Sequence, residues 1–177
     1  MNLFTAIETR KSSRRFSNEP IDEDTLFNIL KYANLAPSAG NARPWRFIVL
    51  CTPDILKQAA AIHPQAAMAD KAPCAVVVAG DLFKETQSGF WVQDCAACTN
   101  TMLLAAHGMG LGALWTGIYP IKQRVEKFSR MLNVPKSVIP FSMVLLGHSN
   151  VRPPDDPVEF DKSSVFFNTF GTTEFPE

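Results

Sequence analysis

The sequence offers no excess charge of either sign: 17 lysines and arginines balance 17 aspartates and glutamates over 177 residues. No global field draws in nucleic acid or an acidic membrane surface, so neither is expected as a partner. Histidine is scarce. His63, His107 and His148 are scattered, without an H-E-x-x-H pair or a carboxylate at ligand spacing, and no metal centre is expected. There is no G-x-S-x-G elbow, and no serine or cysteine stands in a pattern that couples it to a histidine. The chain also lacks the strand–G-x-G-x-x-G–helix order of a dinucleotide fold and the lysine of a phosphate-binding P-loop. Its acids fall mostly on helix faces or in the tail, which leaves a two-carboxylate mechanism unsupported. The opening "MNLFTAIETRKSSRRF" has no apolar core followed by a small-residue cleavage site, so no secretory signal is read there. With four cysteines and no such signal, free thiols and a cytoplasmic location are expected.

What is present is an apolar chain of ordinary globular composition, 46% hydrophobic and 19% charged. The longest apolar stretch, 95–120, is interrupted by Thr99, Asn100, His107 and several glycines, and has no basic flank. It reads as a core helix rather than a membrane span. Around it the spacing predicts helices over about 3–10, from Asp22 (a plausible N-cap) to Pro37, over 53–63, 91–109 and 121–135. Strands are expected at "RFIVLC" (46–51), "CAVVVAGD" (74–81) and "PFSMVLLGH" (140–148). The stretch 63–73, "HPQAAMADKAP", reads as a mobile loop. No repeat or linker divides the chain, so a single α+β domain over 1–177 is expected, a sheet of three or more strands surrounded by helices. From 150 to 177 it becomes an extended tail, whose Val165, Phe166, Phe167 and Phe170 require burial on this domain or on a second subunit.

Three segments carry chemistry. "RKSSRRF" (10–16) sets guanidinium and ammonium groups beside hydroxyls, the donors a phosphate monoester needs, although a solvated basic surface would look the same. "APSAGNARPW" (36–45) is too rich in Pro, Ser, Gly and Asn for a plain turn between helix and strand. "GLGALWTGIYP" (110–120) is either a ligand-facing loop, with the Thr116 and Gly117 N–H groups donating to a planar heterocycle, or a helix C-cap and a loop whose Trp packs into the core. Cys95-x-x-Cys98 lies inside a predicted helix with no second pair, and a structural role is expected. No catalytic side chain stands out, as befits a protein whose bound redox cofactor does the chemistry.

The ordered set resembles the nitroreductase family of flavin enzymes. "ETRKSSRRFSNEPID" resembles its opening R-R-S-x-R-x-F…P-I, and "LAPSAGNARPWRFIVL" its A-P-S-x-x-N-x-Q-P-W-x-F. "LLAAHGMGLGALWTGIYP" resembles its central helix and G-L-G-x-x-W, and "PFSMVLLGHS" its strand ending in L-G-Y-P. The match runs from about residue 4 to 150. The resemblance implies an FMN-binding α+β fold with a mixed or antiparallel sheet, working as an intertwined homodimer. It implies hydride passage from NADH or NADPH through flavin N5 to a small acceptor such as a nitroaromatic or quinone. Carried over by position, Arg10, Lys11, Ser12 and Arg14 bind the FMN phosphate and polar edge. Pro37, Ser38, Ala39 and Asn41 come from the other subunit. Leu114 and Trp115 pack under the ring, and the N–H groups of Thr116 and Gly117 face N5 and O4.

Two departures stand out. Arg43 replaces the family's Gln, placing a cation where it would raise the flavin potential or select an anionic substrate. The tail is acidic where many members are basic, leaving Arg152 as the nearest candidate for the phosphate. The same scaffold also admits a reductive dehalogenase or flavin-oxidising variant, for which 63–73 is the only lid candidate, and a flavin-binding redox sensor without turnover.

Overall fold

Four apolar runs pair into one antiparallel sheet of order β1-β2-β4-β3. They are β1 (Trp45–Leu50), β2 (Cys74–Asp81), β3 (Gly112–Gly117) and β4 (Val138–Gly147). The computed structural model of the chain describes residues 1–149 and 159–174. Five α-helices are formed among them: α1 (Leu3–Thr9), α2 (Glu23–Ala33), α3 (Pro53–Ile62), α4 (Trp91–Gly108) and α5 (Lys122–Met131).

The central strands explain the two-sided core. Every residue of β2 is buried, and so are the last eight of β4. Successive side chains of a strand point to opposite faces, so a continuous apolar run supplies two cores at once. Val76, Val78, Val144 and Leu146 pack with α2 and α4; Ala75, Val77, Met143 and Leu145 pack with α3 and α5. The register slips between Val78 and Ala79, where Ala79 faces Pro140. Proline cannot donate to a ladder, so it belongs at such an irregularity. Displaced there, the Phe141 carbonyl accepts from both Ile118 N (3.0 Å) and Tyr119 N (2.9 Å).

α4 crosses the sheet as the sequence suggests, burying Cys95, Cys98, Thr99, Met102, Leu103 and Ala106. Burial pushes the Cys95 thiol up to about 12 and raises that of Cys98 as well, so both remain protonated and fill space. Thr99 Oγ1 bonds the Cys95 carbonyl (2.7 Å) and meets Ser142 Oγ at 2.9 Å, tying α4 to β4. The Asp22 side chain caps α2 by accepting from Thr25 N at 2.8 Å.

The structure departs from the sequence expectations at three places. α2 ends at Ala33, and Asn34–Ala36 tighten into turns before Pro37, so the proline follows a helix already closed by its own last carbonyls. Residues 64–71 wind into short 3-10 turns whose small Ala66 and Ala69 are buried, so this is a packed wall and not a loose loop. Residues 112–117 are a strand. On α1 only Ala6 is buried, while Phe4 and Ile7 lie exposed, as does Phe170 in the tail. No helix among the described residues is long and apolar enough to cross a membrane.

Gly80 allows a close approach of helix to sheet: a Cβ there would lie 2.3 Å from Trp91 Cε3. Gly80→Ala should destabilise by about 1–3 kcal/mol through overpacking. At Gly108 a Cβ meets nothing within 4 Å, so Gly108→Ala should be neutral or stabilise by up to about 1 kcal/mol. Urea denaturation of both variants checks the pair, with the midpoint moving at unchanged slope.

Candidate functional site

β3 is an edge strand, and its backbone has a definite polarity. Ser13 N donates to the Ala113 carbonyl at 2.9 Å, so Ala113 presents its polar groups away from β4. Alternation then turns Leu114 and Thr116 toward β4, and Trp115 and Gly117 toward the open side. A second observation agrees, since the Gly117 carbonyl accepts from His63 Nε2 (2.8 Å) and Arg124 Nη1 (3.0 Å), outside the sheet. The outward N–H groups along this edge are therefore those of Trp115 and Gly117. Thr116 faces inward, with its hydroxyl on the Met143 carbonyl at 2.9 Å.

Two walls bound that edge. One is the extended segment 10–16, bridged in parallel to Ala113 through Ser12. Gly112 makes this possible, because a Cβ there would lie 2.6 Å from Ser13 Oγ. Ser13 is buried toward the sheet, which leaves Ser12 and Arg14 facing out. The other wall is the 63–71 segment. Arg14, Arg15 and Phe16 share with Met68, Asp70 and Lys71 a cleft of about 520 Å³. Arg10 and Lys11 line a different cleft, of about 160 Å³, beside Thr9 and His107 at the end of α4. Thr9 Oγ1 donates to Thr5 O (2.6 Å) and meets His107 Nε2 at 2.7 Å. A hydroxyl has one proton to give, so His107 Nε2–H is the donor in that second bond.

The 37–43 loop lies elsewhere, before β1 at the opposite edge. Two strands stand between β1 and β3, a lateral separation of about 14 Å. The loop is held against the start of α4: Ala39 N donates to buried Asp94 Oδ1 (2.9 Å), and Thr86 Oγ1 to Ala39 O (3.0 Å). Gly40, Asn41 and Arg43 all adopt positive φ, of 55°, 55° and 46°. Arg43 holds that conformation through its own N–H on Ser38 Oγ (2.9 Å) and its Nε on Asn41 Oδ1 (3.1 Å). One chain thus sets Ser12, Trp115 and Gly117 along the β3 edge and Arg14 in the cleft with Lys71, and leaves Pro37, Ser38, Ala39, Asn41 and Arg43 before the opposite edge strand.

The nitroreductase family profile matches residues 7–148. The chain belongs to the nitroreductase family. A protein of Methanothermobacter thermautotrophicus, provisionally named NADH dehydrogenase/NAD(P)H nitroreductase, is 42% identical over 153 residues, 86% of this chain and 80% of its own. A crystal structure from Parabacteroides distasonis, under the same provisional name, superposes with a TM-score of 0.87 at 30% identity, covering 94% of this chain and 98% of that one. A Desulfovibrio desulfuricans protein provisionally named nitroreductase, solved in complex with FMN, superposes with a TM-score of 0.76 at 25% identity over 88% of this chain and 91% of its own.

For this nitroreductase-family chain the structure gives the expected site residues different surroundings. Leu114 is buried in the core with α3 and α5, on the opposite face of β3 from Trp115, so the two do not share one surface. By strand parity the Thr116 N–H points toward β4 and that of Trp115 away from it. Arg152 lies outside the described residues. His63 and Arg124 meet at the edge on the Gly117 carbonyl, Lys71 lines the cleft with Arg14 and Arg15, and sequence reasoning missed all three. A lone histidine before Pro64 and an arginine on a polar helix carry no pattern that pairs them across 61 positions.

His63 is only 2% exposed, and burial holds its imidazole below the ordinary value of 6.5, with Arg124 lowering it further against the opposing bond to Gly117. Below 6.5 the unfolded chain takes up a proton that the folded chain resists. This contribution is therefore flat above 6.5 and costs stability as pH falls below it. His63→Gln removes that titration while keeping a donor. Comparing melting temperatures at about pH 7.5 and about pH 5.5 should show a smaller acid loss in the variant than in the wild type.

Proposed function

We propose that this chain is an FMN-dependent NAD(P)H oxidoreductase acting as a homodimer on a small acceptor such as a nitroaromatic or quinone. The observation that carries the reading is the outward edge of β3, two N–H donors in line beside a cationic wall. The donor set suits FMN: Arg14, Arg15 and Lys71 offer charge for an anionic or polar rim. Trp115 offers a flat apolar surface, and the Gly117 N–H a fixed donor with no side chain in the way. Held by these residues, FMN would supply two-electron chemistry between a nicotinamide and the acceptor.

The protein's share is binding, orientation and electrostatics. Gly117 N–H, aimed outward by the ladder, would donate to the polar edge of the ring without reorganisation. Ser12 and Arg14 hold the polar edge of the cofactor, and Arg10 and Lys11 extend the basic segment toward its phosphate. The second subunit's copy of the 37–43 loop closes the site, which accounts for a loop so elaborately built and so far from β3 of its own chain. The exposed apolar residues of α1 and α2, Phe4, Ile7 and Phe27 among them, are suited to that contact. Arg43 brings a fixed cation to the rim. No side chain is assigned as acid or base, since solvent reaches an open edge. A hinged lid over 63–73, as a dehalogenase variant would use, is disfavoured by the burial of Ala66 and Ala69.

The test begins with purified protein and FMN. Yellow absorbance that persists through desalting, with oxidation of NADH or NADPH when an acceptor is added, supports the reading. A colourless protein after FMN addition contradicts it, and bound FMN reduced very slowly by both nucleotides favours the sensor. Arg14→Ala should weaken FMN binding about 10–100-fold, the worth of a charged hydrogen bond, measured by quenching of FMN fluorescence. Arg43→Gln should lower the midpoint potential of the bound flavin, and an unchanged potential means that Arg43 points its charge elsewhere.

A further inference from the structure

Gly117 ends β3 with nothing of its own to hold it. A Cβ at that position would meet only the Tyr119 carbonyl, at 3.8 Å, so packing does not restrain the residue. Upstream, Thr116 is fixed by β4; downstream, Ile118 N and Tyr119 N are fixed on Phe141 O. Between them, the Gly117 carbonyl is held by His63 Nε2 and Arg124 Nη1, and Arg124 Nη2 is itself held by Gln65 Oε1 at 2.5 Å. Two separate parts of the chain, His63 after α3 and Arg124 on α5, converge on one carbonyl oxygen, and Gln65 braces the second of them.

The arrangement is costly for mere packing. His63 Nε2 lies 2.8 Å from a carbonyl and must carry the proton, so Nδ1 bears a lone pair. That Nδ1 is buried with no hydrogen-bond partner, a penalty of about 1–3 kcal/mol. A leucine or phenylalanine would fill the same space without it. What the histidine supplies in exchange is a rigid donor to Gly117, next to a guanidinium that brings a full positive charge to the same oxygen.

We propose that His63, Gln65 and Arg124 form a positioning clamp on the Gly117 carbonyl, which fixes the adjacent N–H toward the flavin and makes His63 and Arg124 determinants of its redox potential. The proposal rests on the flavin reading above. None of the three residues is catalytic in it: His63 and Gln65 act through geometry, and Arg124 through geometry and charge. Negative charge that develops along the open edge is stabilised by that charge and by a donor that cannot swing away.

The experiment measures FMN dissociation constants and two-electron midpoint potentials for the wild type, Arg124→Met, Arg124→Lys, His63→Phe and His63→Gln. Arg124→Met and His63→Phe should each shift the oxidised–reduced equilibrium about tenfold toward oxidised flavin, about 30 mV for a two-electron couple. Arg124→Lys and His63→Gln, which retain the charge or the donor, should recover most of it. A merely structural role moves stability and leaves the potential where it was. Wild-type protein that binds no FMN overturns the flavin reading. Wild-type protein that binds FMN, while folded Arg124→Met keeps the wild-type potential, overturns the clamp alone. Arg124 lies half-buried on α5, whereas His63 is almost fully buried, so that variant decides the matter even where His63→Phe does not fold.

Discussion

The structure depends on one backbone constraint: an edge strand must find partners for the polar groups on its outer side. β3 satisfies this obligation piecemeal. The 10–16 segment covers Ala113, and the His63–Arg124 pair covers the Gly117 carbonyl. The intervening N–H groups face outward by the alternation of the strand. An unprotected edge of this kind is a hazard in most proteins. Here it is short, cationic on one flank and bordered by a half-buried tryptophan, which on the proposed reading suits it to a planar polar molecule instead of to another strand.

The same sheet dictates where the rest of a site must come from. β1 and β3 are opposite edges, and the loop that leads into β1 is pinned to the start of α4 by Asp94. No side-chain rotation brings Asn41 to Trp115 across two intervening strands. A site that uses both must draw on two copies of the chain, and the exposed apolar residues of α1 and α2 offer a surface for the second copy. Cofactor binding and assembly are then one event on this reading, with each protomer completing the other's edge.

Much of this was legible in the sequence, and the physical reason differs from element to element. The strands β2 and β4 announce themselves as continuous Val- and Leu-rich runs, and Asp22 caps α2 as its position before an acidic first turn implies. β3 was hidden because its glycines read as breakers, whereas Gly112 serves the close approach of Ser13. The 64–71 wall was hidden because alanine burial leaves no amphipathic signature in so short a segment. Ser12, Arg14, Trp115 and Gly117 were singled out through motif order. That the Trp115 N–H and not the Thr116 N–H turns outward could not be read, since parity is set by which neighbour the strand pairs with. The clamp was invisible for the same reason: His63 and Arg124 meet only through the fold.

The central claim is that each site is shared between two chains, a β3 edge from one and a 37–43 loop from the other. Mixed dimers test it most directly. One variant carries Arg14→Ala in the edge, the other Asn41→Ala in the loop, each chosen to impair binding in its own homodimer. They are unfolded and refolded together, and FMN occupancy is counted. A shared site predicts that about a quarter of the sites regain wild-type affinity, because every heterodimer holds one site made of two intact halves. A site built within a single chain predicts no recovery, and that result would contradict the account.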